Sequence, residues 1–185
     1  MRSNFTIPDE FLKGKREDNL SWGEMFMLNA VVISGRSKDP SSQVGAVIVD
    51  EHHRILSLGY NGAPNKWDDN EFPWGRKADS PLHTKYPYVI HAEMNAILNY
   101  KGDNKDLEGA TIYTTLYPCQ NCAKFLAQAG IKRVVYLSNK YEGTEDYIAA
   151  TTCFEYCGVK YEEFPKSLQR RMIVSLMPDE GIKEE

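Results

Sequence analysis

At 185 residues, with 42% hydrophobic and 26% charged side chains, the chain has the proportions of one soluble globular domain and is long enough to bury a core. No stretch approaches the roughly 18 apolar residues of a membrane span, and the opening MRSNFTIPDEFLKGKRED lacks the apolar centre of a signal peptide, so a cytoplasmic protein with no membrane partner is expected. A net charge of −4 and a pI near 5.6 argue against a nucleic-acid partner, which wants a basic face, yet leave room for a small anionic substrate.

Residues 1–20 are polar and charged and read as an N-terminal arm. Ser21 has the character of an N-cap, with Glu24 completing a capping box before the helical run MFMLNAVVISG. RSKDPSS (36–42) is a turn-rich link. QVGAVIVD (43–50) and RILSLGYN (54–61) are β-type runs around the polar turn EHH and predict a hairpin. Residues 62–88 form a long Pro-rich loop carrying Trp67 and Trp74, and loops of that length inside a domain are functional or disordered. The aromatics favour a functional loop.

A helix is expected over about 90–101, a strand over ATIYTTL (110–116), and a helix over about 120–129 that ends at Gly130. RVVYLS (133–138) is a strand, about 145–157 a helix closed by Gly158, and VKYEEF (159–164) a last strand. Helix alternating with strand after residue 90 implies parallel strands in an α/β unit. The domain is placed at 21–166, with 167–185 as a charged C-terminal tail.

Chemistry concentrates in two short stretches. In VIHAEMNAI (89–97), His91 and Glu93 stand two residues apart near a helix start, about 200° around its axis, so they cannot both ligate one metal in the i, i+4 manner. His91 as ligand and Glu93 as a carboxylate beside it is the better division. In LYPCQNCAKF (116–125), Cys119 and Cys122 have metal-ligand spacing at a helix N-terminus, where the macrodipole favours thiolate. One His and two Cys give the ligand count of a catalytic zinc with an open fourth position.

The plainer readings stand beside this one. A lone C-x-x-C is often redox-active or accidental, and a lone His near a helix start is usually surface or satisfied core. A structural zinc would need a fourth ligand; His52 and His53 read as solvated turn residues, which leaves His83 as the spare candidate. Cys153 and Cys157, i and i+4 on an apolar helix, read as core. Without secretory context the four cysteines do not suggest a disulfide framework.

H-x-E followed by P-C-x-x-C is the zinc-deaminase signature, and on it the chain resembles the cytidine deaminase superfamily and, within it, the deoxycytidylate deaminases. The resemblance runs from SW (21–22) through RSKDPSSQVGA (36–46), GYNGAPN (59–65), TKYPYVIHAEMNAI (84–97), YPCQNCAKFLAQAGIK (117–132) and SNKYEG (138–143) to FPK (164–166). It implies a three-layer cytidine-deaminase-like fold, with a central mixed five-stranded sheet flanked by helices. It also implies one Zn²⁺ on His91, Cys119 and Cys122, because the extra Cys and His that give some phage relatives a second zinc are absent. Ile90 stands where many relatives carry Cys, a position that ligates nothing.

By the same resemblance, Glu93 moves protons while water attacks C4 of the cytosine of dCMP. Asn61 would bond the sugar and base, with Gly59 and Gly62 as turn residues, and the backbone N–H of Ala92 would face the pyrimidine O2. Arg36, Lys38, Lys140 and Tyr141 are the candidates for the 5′-phosphate. Relatives assemble as hexamers, are activated by dCTP with Mg²⁺ and are inhibited by dTTP, so a homohexamer, those effectors and an effector pocket or subunit contact at 62–88 are implied. The product dUMP would supply thymidylate synthesis. Two alternatives stay open: a deaminase of the same fold acting on dCTP, deoxycytidine or tRNA adenosine, and a non-catalytic zinc-stabilised interaction domain. A tRNA editor should be basic, which this chain is not.

Overall fold

The computed structural model describes residues 6–12 and 14–168. Most of the predicted tail, 169–185, and residues 1–5 and 13 of the predicted arm lie outside the described residues. Helix α1 (Trp22–Ser34) begins where the capping box puts it: Ser21 Oγ accepts from the Glu24 amide at 3.3 Å, and Glu24 Oε2 accepts from the Ser21 amide at 2.7 Å. Two orphan N–H groups are satisfied reciprocally. Strands β1 (Gly45–Val49) and β2 (Ile55–Tyr60) form the expected antiparallel hairpin. Then follow α2 (Ala92–Asn99), β3 (Thr111–Thr114), α3 (Gln120–Gln128), β4 (Arg133–Tyr136), α4 (Glu145–Cys157) and β5 (Lys160–Glu163).

The five strands form one mixed sheet in the order β2-β1-β3-β4-β5. β1 is antiparallel to both neighbours, whereas β3, β4 and β5 run parallel. The period-2 alternation of each strand divides the core in two. Val47, Val49, Tyr113 and Val135 pack with Phe26, Met27 and Ala30 of α1. Ala46, Ile48, Ile112 and Val134 face the other way, onto α2, α3 and α4 through Ala92, Ala96, Leu126 and Phe154. The result is a three-layer α/β sandwich, helix on sheet on helices, as the sequence implied.

Two expectations are corrected. Gly59 is not a turn residue: it lies inside β2, where a Cβ would sit 2.3 Å from both the Ala92 carbonyl and the Ala96 amide. Its bare backbone lets α2 approach the sheet, and Ser57, Tyr60 and Leu58 then bond to Ala96, Asn95 and Asn99 of that helix. Cys157 is exposed, so only Cys153 of the cysteine pair packs against the core. His53 is exposed in the hairpin turn, as expected, and its ring also stacks on Trp22 at 4.9 Å.

The long loop 62–88 is ordered by an aromatic cluster of its own. Trp67 meets Phe72 and Tyr88, each at 5.1 Å, and Phe72 meets Trp74 at 4.4 Å. An isolated antiparallel bridge, Gly62 to Ile90, ties the loop's start to the residue before His91. Among the described residues no helix is long and apolar enough to cross a membrane.

Candidate active site

Two helix N-termini carry the metal-ligand candidates. His91 is the N-cap of α2 and Cys119 the N-cap of α3, both with extended backbone, and neither uses its side chain to cap. That leaves both side chains available, which a Ser or Asp in the same place would not be. Cys122, one turn into α3, is buried, so imidazole and both sulfurs converge between the helices. His91 Nδ1 lies 3.3 Å from Cys119 Sγ and 3.5 Å from Cys122 Sγ.

The three ligand atoms lie within 4.8 Å of one another and form the one group of potential ligands among the described residues. Tetrahedral zinc at ordinary Zn–N and Zn–S lengths spaces its ligands roughly 3.6 Å apart, so one nitrogen and two sulfurs at these separations fit zinc. His83 sits exposed on the 3-10 turn Pro81–His83 and takes no part in the cluster. No fourth protein ligand is present among the described residues, which leaves a coordination position for water or substrate.

The electrostatics agree. The Cys119 thiol is held down at about 4, chiefly by the Cys122 hydrogen bond and then by His91. His91 is pushed up to about 9 by its bond to the Cys119 sulfur, and Cys122 is raised well above its usual value because it donates to Cys119. Glu93 is almost wholly buried, at 4% exposure, and burial raises its carboxyl above the usual range. Its Oε2 stands 3.5 Å from Cys122 Sγ. Glu93 is therefore beside the ligand set and outside it, as the 200° offset predicted.

These groups line a cavity of about 780 Å³ at the carboxyl end of β3, walled by Leu116, Tyr117 and Pro118. Asn61 and Ala92 line it as well. Ala92 is the first residue of α2, so its N–H has no partner within the helix. The Asn61 amide is oriented by its neighbours: Oδ1 accepts from the Val44 amide at 2.8 Å, and Nδ2 donates to the Ser42 carbonyl at 2.9 Å and Asp39 Oδ2 at 3.3 Å. Both donors are spent, and only a lone pair of Oδ1 remains for a ligand.

The four phosphate candidates separate. Tyr141 lines the cavity, and Lys140 donates to Ser42 Oγ at 2.8 Å on its wall. Arg36 and Lys38 line a second, smaller cavity of about 340 Å³ instead. The Arg36 guanidinium lies over the Tyr60 ring at 6.0 Å, and Lys38 pairs with Asp69. The Gly62–Ile90 bridge stands between the two spaces: Asn61 and His91 face one, Gly62 and Asn95 the other.

Sequence reasoning missed two cations on the larger cavity. Lys85 is buried and pairs with the equally buried Asp39 at 2.5 Å, which fixes the wall around Asn61. Arg76, from the long loop, donates from Nε to Tyr86 Oη at 3.0 Å. The one available signal was the length of that loop, just before the ligand His.

Residues 20–138 match the family model of the cytidine and deoxycytidylate deaminase zinc-binding region. The deoxycytidylate deaminase of Mus musculus is 46% identical over 159 residues, covering 86% of this chain and 88% of that protein. The Homo sapiens deoxycytidylate deaminase is 47% identical over 150 residues, covering 81% of this chain and 83% of that protein. Among solved structures, the dCMP deaminase of cyanophage S-TIM5 in complex with dCMP and dUMP superposes with a TM-score of 0.60 at 26% identity, covering 86% of this chain and 100% of that one.

Proposed function

The chain belongs to the cytidine and deoxycytidylate deaminase family and is a zinc-binding deaminase, and from that premise we propose that it hydrolyses dCMP to dUMP and ammonia. The observation that carries the reading is the buried Glu93 beside a three-ligand His–Cys–Cys set, in the floor of a cavity of nucleotide size. A structural zinc in an interaction domain would need neither the carboxylate nor the cavity.

His91, Cys119 and Cys122 would hold the ion. Zinc bound there would act as a Lewis acid and lower the pKa of a water towards about 7. Glu93 would carry one proton from the attacking water to N3 of the ring and then a second from the new C4 hydroxyl to the amino group, which leaves as ammonia as the C4–N bond breaks and the C4 carbonyl forms. Burial suits it to both directions of transfer, because a raised pKa makes the carboxyl a better proton acceptor than an exposed one while it remains acidic enough to give the proton back. The Ala92 N–H donates to the pyrimidine O2, and Asn61 Oδ1 accepts from a sugar hydroxyl, the one role its spent donors leave it. Tyr141 and Lys140 face the 5′-phosphate.

Regulation by dCTP with Mg²⁺ and by dTTP belongs to the same reading. The second cavity supports it, since Arg36, Lys38, Lys66 and Lys101 surround it together with Trp67 and Trp74. Four cations and two indoles suit a base carrying several phosphates. Homohexameric assembly, a cytoplasmic location and dUMP supply to thymidylate synthesis complete the proposal. The test is steady-state ammonia release from dCMP, dCTP, deoxycytidine and CMP side by side, with and without dCTP–Mg²⁺ and dTTP. Preference for deoxycytidine over dCMP would sink the nucleotide reading, and no release from any of the four would sink the enzyme.

A further inference from the structure

We propose that Arg76 is the specificity-determining cation that recognises the anionic group of the substrate at the mouth of the catalytic cavity. The inference rests on the dCMP reading and assigns to it a residue from the long loop.

The charges around the cavity lead to Arg76. Its wall carries Glu93, Asp39 and Asp146, so a dianionic phosphate entering it meets carboxylates. Lys85 offsets Asp39 alone, because it is buried and paired with it, and so has no charge left over for the ligand. Arg76, by contrast, has no carboxylate within ion-pairing distance among the described residues. It is the one arginine that lines this cavity.

The geometry also suits a phosphate. A guanidinium has five N–H donors. The Nε–H of Arg76 is given to Tyr86 Oη, which leaves the paired Nη groups to form a bidentate contact with an oxyanion. Tyr86 thus tethers the side chain by the edge that the ligand does not need. Tyr141 lines the same mouth, and Lys140 sits over its ring at 5.1 Å, so Arg76 and Lys140 can approach one phosphate from two loops far apart in sequence. Arg36 has no such position: it lines the other cavity, over Tyr60.

The experiment measures kcat and KM of the full-length, zinc-loaded protein on dCMP and on deoxycytidine, for wild type, Arg76→Ala, Arg76→Lys, Tyr86→Phe and Arg36→Ala. Loss of a charge-assisted contact should lower kcat/KM of Arg76→Ala on dCMP by about 10-fold or more, mainly through KM. Deoxycytidine, which lacks the phosphate, should be turned over as before. Arg76→Lys should recover part of the loss, because it restores charge without the fork. Tyr86→Phe should raise KM for dCMP by a smaller factor. Equal losses on both substrates, or a selective loss that appears in Arg36→Ala and not in Arg76→Ala, overturns the proposal. If wild type prefers dCMP and Arg76→Ala keeps that preference, only this inference falls; if wild type prefers deoxycytidine, the nucleotide reading falls with it.

Discussion

The catalytic cavity has two walls built in different ways. On one, His91 and Cys119 cap two helices, Cys122 stands one turn into the second helix, and Glu93 lies buried beside them. Each position follows from a helix start, and Gly59 sets how closely α2 approaches the sheet. On the other wall, Asp39, Asn61, Arg76, Lys85 and Tyr141 come from loops spread over a hundred residues of sequence. Hydrogen bonds and one buried ion pair hold them, not regular structure. The first wall serves a reaction common to the family. The second can be altered loop by loop, and on the proposed reading it selects the substrate.

If that division is right, the largest single effect on turnover belongs to the first wall. Glu93→Gln keeps the shape of the side chain and removes its ability to exchange a proton. Turnover should fall by about 10²–10⁴-fold, the usual value of one general acid–base group, or further because one carboxyl serves several transfers. Zinc content by elemental analysis should stay at one per chain, since Glu93 is not among the three converging ligands. Retention of more than about a tenth of kcat would move the proton shuttle elsewhere.

The second wall should answer first in stability. Lys85 and Asp39 are 7% and 2% exposed at the side chain, and removing one partner of a buried pair costs about 3–5 kcal/mol. Lys85→Met should lose that much in urea unfolding, near the low end because Asp39 also accepts from the amides of Ser41 and Ser42. The double variant Asp39→Asn/Lys85→Met should be more stable than the single one, since no bare carboxylate is left buried. A single-variant loss below about 1 kcal/mol would mean that loop packing, not the ion pair, shapes this wall.

How much of each wall could be read from the sequence follows from the same contrast. His91, Glu93, Cys119 and Cys122 sit in two short motifs whose spacing suggests a ligand set, and the resemblance to the zinc-deaminase signature joins the two. The helices, the hairpin and the parallel half of the sheet were legible from local periodicity, with ends off by a residue or two: His91 is extended as a cap, so α2 starts at Ala92 and not at 90. Arg76 and Lys85 obey no period, and their role depends on where a 27-residue stretch (62–88) folds back. Arg36 and Lys38 were legible as cations but not as neighbours of the other cavity, because only the Gly62–Ile90 bridge divides the two spaces. Gly59 in GYNG looks like a turn in sequence, and only the packing of α2 reveals a close approach.

A further test sharpens the first wall alone. In the metal-free protein near pH 7, Cys119 is already thiolate because its pKa is held at about 4. His91, raised to about 9, keeps its proton, and Cys122, raised well above its usual value, keeps its own. Zinc needs all three deprotonated, so the ligands should release two protons on binding, with a further fraction from a zinc-bound water whose pKa lies towards about 7. Affinity should rise with pH by about 100-fold per unit or more across the neutral range, and the slope should ease as pH passes His91's pKa of about 9. Calorimetry in buffers of different ionisation enthalpy counts the protons directly. A count of one would mean that the imidazole is neutral beforehand and that the Cys119–His91 pair is not the ion pair its geometry suggests.

The smallest expected effect tests whether the second wall acts by charge at its rim. Lys140 is exposed, donates to Ser42 Oγ and lies over the Tyr141 ring. Exposed charge contacts are worth about 0.2–1 kcal/mol, which converts to roughly 1.4- to 5-fold in kcat/KM. Lys140→Met should therefore lower kcat/KM for dCMP by no more than several-fold and leave deoxycytidine unchanged, because the apolar stem still covers Tyr141. Salt should abolish the difference, since the screening length falls from about 10 Å at 0.1 M to about 3 Å at 1 M. Wild type and variant should converge on dCMP as salt is raised, whereas the Glu93→Gln deficit, which arises inside a closed wall, should persist. A Lys140→Met loss that survives high salt would show that this lysine holds the loop in place through Ser42 and does not act through its field, and the contrast between a rigid chemical wall and an electrostatic rim would then fail at this residue.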